Sequence, residues 1–465
     1  MMGDLVKETS QLQLSSLPFG KPMLKEFLLD PAYHNMNNGS FGTIPRHIRN
    51  ALRSYQDEAE ARPDPFIRWT YQDLLKESRQ AVAGLINAPL SCTVFVPNAT
   101  VGINTVLRNL TWAPDGLDEI LYFSTIYGGC AKAIDYVVDT RAGLVSSRGI
   151  PLTYPLEDDE IVAIFRETVA KSRVEGKRPK VCLFDVVSSL PGIAFPYQAM
   201  TVACRELGIM SLVDGAQGVG MVPLDLTATD PDFFVSNCHK WLHVPRGCAV
   251  FYVPERNQHL LISTVPTSHS YVARSGVKRH NPLPPSNESY FVTSFGFVGT
   301  LDNSPNLCVK DAIEWRKSIG GEDKIMEYLW TLAKKGGKKV AATLGTFVLD
   351  NKSETLTNCG MVNVALPIVT GAAADAETTS VGPDDTVTVP EKEVSVVVNW
   401  MMKALVDEYH TFVALFWHQG RWYMRISAQI FLDETDFEWL ATTMKELCQR
   451  VGKQDYKAKD KEVTK

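Results

Sequence analysis

Between residues 92 and 253 the chain alternates short apolar runs with longer amphipathic stretches. The runs fall at 93–96, 120–123, 181–187, 209–213, 233–235 and 248–253, and helical spacing appears between several of them, as at 159–171 and 197–207. Apolar runs separated by helix-period stretches predict α/β units around a mostly parallel sheet. Such sheets place ligands at the carboxyl ends of their strands, so chemistry is expected where each run closes. The last third reads differently, with a mainly helical stretch at 311–344, strands at 361–367, 412–416 and 422–426, and a helix at 438–451. The expectation is a large α/β domain over 18–305 and a smaller α/β domain over 306–453, to which 18–60 contributes in part. Segment 371–392, rich in Ala, Asp, Thr and Pro and without period, predicts a mobile surface insertion. Disorder is expected at 1–17 and in the Lys-rich tail 454–465.

Composition narrows the function. At 465 residues the chain is too long for one ordinary core. Its 47 basic and 53 acidic residues are dispersed and sum to a net charge of -6, which argues against nucleic-acid or anionic-membrane partners. No apolar run reaches spanning length, and the first residues carry no apolar signal core. The nine cysteines are dispersed, odd in number and without CxxC spacing, so reduced thiols in a cytoplasmic protein are expected. Metal-ligand spacing, a GxGxxG turn and a P-loop are all missing from the sequence.

Three run ends carry the chemistry. The first closes in Ser188-Ser189 before Pro191-Gly192, the second in Asp214-Gly215-Ala216-Gln217-Gly218, and the third in Asn237-Cys238-His239-Lys240-Trp241. A lysine amine forms a Schiff base with an aldehyde cofactor. Pyridoxal phosphate (PLP) draws electrons best when its ring nitrogen is protonated, and a carboxylate beside that nitrogen favours this form. Lys240 and Asp214 suit these tasks. Gln217 and Ser188 are candidate donors to the phenolic oxygen. The phosphate needs backbone amides at a helix N-terminus, which Asn98-Ala99-Thr100 supplies directly after a run, with Asn237 and His239 able to complete the cradle.

Together these motifs resemble the class V aminotransferase family, over roughly residues 37–451. The resemblance implies an aspartate-aminotransferase-like PLP enzyme with Lys240 as Schiff-base lysine and proton shuttle, acting on a small amino acid. It implies Asn98, Ala99, Thr100 and His239 around the phosphate, and Tyr127 over the cofactor as a possible proton donor. Phe297-Val298-Gly299-Thr300 is similar to the segment that reaches the partner subunit's phosphate, which implies a homodimer with shared active sites. Arg425 is similar to the arginine that grips the substrate carboxylate, a task that suits its planar fork.

More narrowly, the motifs around Asn37, Arg62, Ser188, Lys240 and Arg246 resemble fungal hercynylcysteine sulfoxide lyases of ergothioneine biosynthesis and loline-pathway PLP enzymes. Asn38 stands where those lyases carry histidine. The implied reaction is β-elimination from an S-substituted cysteine; decarboxylative ring closure to an alkaloid, epimerisation, transamination and a catalytically silent PLP-fold protein stand beside it. Each residue also has an ordinary alternative. Lys240 could be a surface lysine, Asp214 a helix cap, Tyr127 a core aromatic and Arg425 a salt-bridge partner. Arg62 and Asn38 could simply shape turns before Pro63 and Gly39.

Overall fold

The apolar runs become the strands of a sheet buried on both faces. A computed structural model describes residues 17–371, 379–382 and 385–457. Strands β1 (Thr93–Val96), β2 (Asp118–Phe123), β3 (Val145–Ile150), β4 (Arg178–Asp185), β5 (Met210–Asp214), β6 (Phe233–Asn237) and β7 (Ala249–Tyr252) form one sheet, ordered β1-β7-β6-β5-β4-β2-β3. Strands β2 to β6 run parallel, and β7 is antiparallel to both of its neighbours. Along β4, Val181 and Leu183 enter one core while Cys182 and Phe184 enter the other. Burial on both faces gives a continuous apolar run rather than an alternating one. Helices Ala99–Asn109 and Gly128–Thr140 cover one face through Ile103, Val106, Ile134 and Val137. Helices Asp158–Val174 and Tyr197–Glu206 cover the other through Ile161, Phe165 and Met200.

A second sheet holds β8 (Met361–Gly371), β9 (Ser380–Val381), β10 (Val387–Pro390), β11 (Ala414–His418) and β12 (Arg421–Ser427), ordered β11-β12-β8-β10-β9. This is the smaller domain. The predicted helix 311–344 is two helices, Ser304–Ser318 and Gly321–Leu344, parted at Gly320 and Gly321, whose φ angles are 129° and 83°. Such angles favour glycine and end the helix.

Segment 371–392 departs from the expected structureless insertion. Its β10 pairs in parallel with β8, and buried Val387 and Val389 alternate with Thr388. Residues 372–378 and 383–384 lie outside the described residues. The expected disordered tail begins with an ordered turn, where Tyr456 is buried and its hydroxyl meets Thr379 and Glu393. Residues 1–16 and 458–465 lie outside the described residues.

The N-terminal segment is tied to the small sheet. Gly20 N donates to Ile430 O, His34 N to His410 O, and Ser427 N to Met36 O. Among the described residues no helix is long and apolar enough to cross a membrane. All nine cysteines are buried and unbridged.

Candidate active site

Three neighbouring strands of the large sheet end in polar groups: β4 in Asp185, β5 in Asp214 and β6 in Asn237. The helical turn Cys238–Trp241 follows β6 directly and carries Lys240 to the same edge. The helix Ala99–Asn109 points its N-terminus there too, and two amides pin it. Asn98 Oδ1 accepts from Val101 N at 3.0 Å, and Asn237 Oδ1 accepts from Ala99 N at 2.9 Å. Asn98 and Asn237 therefore pin this N-terminus, whose first-turn amides, Thr100 N–H among them, have no acceptor within the helix.

Lys240 is half-buried by area. That burial lowers its pKa to about 8, although the Asp214 charge opposes the shift. Asp214 is buried. Its Oδ1 accepts from Ala216 N at 2.9 Å, and its Oδ2 accepts from the Cys130 thiol at 3.4 Å. Burial raises the Asp214 carboxyl above its ordinary value, while these bonds and Lys240 oppose the rise. His239 shares a 3.0 Å contact with Cys248 O through Nδ1, and burial lowers its pKa to about 4. The ring is neutral at physiological pH, with Nδ1–H donating to that carbonyl.

The N-terminal loop clamps this turn. Gly42 has φ 64°, and a Cβ there would lie 1.7 Å from His239 O, so only glycine fits. Asn38 Nδ2 donates to Lys240 O at 3.0 Å. Gln217 accepts from Trp241 Nε1 at 2.7 Å and donates to Gly39 O at 2.8 Å. Arg316, fully buried, donates to Trp241 O at 2.8 Å and Gly220 O at 2.9 Å while paired with Glu322.

From the small sheet comes Arg425, which is 2% exposed. Its Nη1 donates to Ser189 O at 2.8 Å, and its Nη2 donates to Asn37 Oδ1 at 2.7 Å and Ser40 Oγ at 2.8 Å. Its Nε is buried without a partner. No carboxylate among the described residues pairs with it, and burial lowers its pKa to about 10. Gly192 makes room, since a Cβ there would lie 2.6 Å from Arg425 Cδ, and Asn363 bonds both main-chain groups of Gly192 at 2.9 Å.

The structure gathers Lys240, Asp214, Asn98, Ala99, Thr100, Asn237 and His239 at one sheet edge, with Asn38, Gln217 and Arg425 closing over it. Ser188 is there, but its hydroxyl proton goes to Pro191 O at 2.7 Å, and both ends of the Gln217 amide are engaged. Tyr127 is 51% exposed at the start of helix Gly128–Thr140, with Gly129 between its ring and Thr100. Arg62 is exposed at the end of helix Arg46–Ala61, and Thr300 is exposed in a groove with Pro63 and Phe297. No hydrogen bond or ion pair among the described residues joins either to Lys240. A cavity of about 1290 Å³ also lies apart, between Arg68, Lys76, Tyr271, Lys278, Glu288 and Phe297.

Sequence reasoning did not assign Asp185, Cys130, Asn37, Ser40 or Ser189 to the site. Four of them stood within or beside quoted motifs, but a motif does not show which groups the fold turns toward each other. Cys130 carried no signal beyond lying three residues after Tyr127.

The donor set fits PLP. A nucleophilic amine, a buried carboxylate for the ring nitrogen and an open helix N-terminus for the phosphate converge, and a buried guanidinium waits without a carboxylate. The comparisons agree. Residues 44–373 match the model of the class-V aminotransferases. The chain is 36% identical to the L-cysteine desulfhydrase-like protein lolT1 of Epichloe uncinata, over 94% of this chain and 97% of that protein. It is 32% identical to the hercynylcysteine sulfoxide lyase of Schizosaccharomyces pombe, over 92% of this chain and 98% of that protein. A solved cystine C–S lyase shares the fold, with a TM-score of 0.67 at 18% identity over 91% of this chain and 99% of that one. Matching motifs, a shared fold and relatives along nearly its whole length place this PLP-dependent enzyme: the chain belongs to the class-V aminotransferase family.

Proposed function

We propose that the protein is a lyase that breaks the C–S bond of an S-substituted cysteine by β-elimination, with hercynylcysteine sulfoxide as the model substrate. The observation that carries the amino-acid part is Arg425, a buried cation that pairs with no carboxylate among the described residues. A buried charge without a partner is costly, and a substrate α-carboxylate supplies the missing one. The sulfur part is supported by the names of its relatives, a desulfhydrase-like protein and a sulfoxide lyase.

When bound, PLP supplies an aldehyde carbon for the substrate amine and a ring that draws electrons from Cα. The residues do the rest. Arg425 orients the carboxylate from the small sheet. The Lys240 amine, lowered to about 8, has a neutral fraction at physiological pH and takes the Cα proton. Asp214 holds the proton on the ring nitrogen. Thr100 would hold the phosphate at the helix N-terminus, with the neutral His239 ring packed beside it and fixed by its Nδ1–H bond to Cys248 O. The Tyr127 phenol donates to the departing sulfur. Asn38 stands where similar lyases carry histidine, and its bond to Lys240 O gives it a holding task rather than an acid–base one.

The active form is proposed to be a cytoplasmic homodimer in which Thr300 reaches the second site. The similarity of Phe297-Val298-Gly299-Thr300 to a segment that reaches a partner subunit's phosphate supports this. Pyruvate and the sulfur product (sulfide from L-cysteine, a thiol from S-alkyl cysteines, a sulfenic acid from hercynylcysteine sulfoxide) should be measured for the PLP-loaded protein with each of these substrates. Equimolar pyruvate and sulfur product from at least one of them is expected. Loaded protein that releases neither from any of them would sink the lyase reading and favour the catalytically silent one.

A further inference from the structure

Beside Asp214 lies a second carboxyl that the mechanism above does not use. Strands β4 and β5 are parallel, and Asp185 and Asp214 are direct partners across them. Neighbouring strands lie about 4.8 Å apart, and partners point to the same face. That face is the one covered by helices Ala99–Asn109 and Gly128–Thr140, because Asp185 follows Val181 and Leu183 in alternation and Asp214 follows Leu212. Both side chains are buried, at 9% and 4% exposure. Two carboxyls so placed cannot both ionise cheaply.

Hydrogen bonds decide which one keeps the charge. Asp214 accepts from Ala216 N and from the Cys130 thiol, and bonds donated to a carboxylate favour its charged form. The Asp185 side chain accepts none among the described residues. Four titratable groups lie within electrostatic reach of Asp185: Asp214 on β5, Lys240 on the turn after β6, Cys130 on helix Gly128–Thr140, and Tyr154 beyond β3. Only Lys240 among them is cationic. Burial first, and the Asp214 charge second, push the Asp185 carboxyl well above its ordinary range.

We propose that Asp185 is a positioning residue that keeps its proton, so that Asp214 alone of the buried pair carries the negative charge facing the cofactor's ring nitrogen. This rests on the assignment of Asp214 to that nitrogen. A second ionised carboxylate would also hold the proton more tightly on Lys240, which makes a poorer nucleophile and base near neutrality. The neutral Asp185 leaves one charge where one is needed.

The test uses the full chain, with infrared spectroscopy for the proton and absorption for its consequence. At neutral pH the wild type should show the C=O stretch of a protonated, buried carboxyl, and Asp185→Asn should lose it. In PLP-loaded protein, the spectral pKa of the lysine-bound cofactor should move by less than about 0.3 unit in Asp185→Asn, because a neutral group replaces a neutral one. The proposal is overturned by no such band in the wild type, or by a band that survives Asp185→Asn and vanishes in Asp214→Asn. A fall in spectral pKa of about one unit or more in Asp185→Asn overturns it too, since that is the signature of a lost negative charge. Asp185→Ser is the second variant, should Asp185→Asn fail to fold. An Asp214→Asn variant whose spectral pKa stays at the wild-type value sinks the assignment of Asp214, and with it the purpose given to Asp185, whereas the infrared band reports the position of the proton independently.

Discussion

Asn38 Nδ2 donates to the main-chain carbonyl of Lys240 across 3.0 Å, so the N-terminal loop holds the backbone of the proposed Schiff-base lysine. Asn38 is 1% exposed, and removing its amide leaves that carbonyl buried without this donor. Asn38→Leu should cost about 1–3 kcal/mol of stability. It should also lower kcat more than it raises KM, because the lysine loses its hold rather than the substrate its contacts. Urea unfolding and steady-state kinetics check this; a variant with altered KM alone contradicts it.

Arg425 has no carboxylate partner among the described residues, and its fork is the proposed grip on the substrate. Arg425→Lys keeps the charge and loses the fork. Losing a buried, hydrogen-bonded charge contact costs about 2–5 kcal/mol, so kcat/KM should fall roughly 30-fold or more. PLP binding, followed by absorption, should persist. Loss of PLP with intact turnover of the remaining loaded fraction would place Arg425 elsewhere in the mechanism.

Arg316 joins the lysine turn to helix Ser304–Ser318 through two carbonyls and the Glu322 pair. Arg316→Ala leaves Glu322 unpaired and both carbonyls without their donor. A loss of about 3–5 kcal/mol is expected, visible as a lowered Tm. An unchanged Tm contradicts the stitching role.

His243 is fully buried, and burial lowers its pKa to about 3, while Nδ1 meets Thr43 O at 3.1 Å. The unfolded chain binds a proton on this ring near pH 6.5 and the folded chain does not. Unfolding therefore takes up a proton between those values, and stability falls as the pH drops from about 6.5 toward 3. Urea midpoints at pH 7 and pH 5 should differ by less in His243→Gln than in the wild type. An equal difference in both proteins removes His243 from the acid response.

What was legible in the sequence depended on burial. Strands β4 to β6 read clearly because both of their faces are buried, whereas β3 escaped because only Val145 and Ile150 of its six residues are. Strand β10 was hidden because Val387 and Val389 sit in a stretch dominated by turn-forming residues. Lys240, Asp214 and Arg425 were visible as residue types at telling places. The partners of Ser188, Gln217 and Asn237 were not, since a side chain's identity gives its donors and acceptors but not whether the main chain will take them. Asp185 stood inside the apolar run 181–187, yet its meaning came from the register that sets it opposite Asp214, which no pattern along one strand contains.

The central claim is that Lys240 holds the cofactor. Borohydride reduction of PLP-loaded protein, followed by peptide mass mapping, fixes the label to the lysine that held it. The pyridoxyl adduct is expected on Lys240 and is expected to be absent in Lys240→Ala. An adduct on any other lysine of the wild-type protein, with Lys240 unmodified, would contradict it.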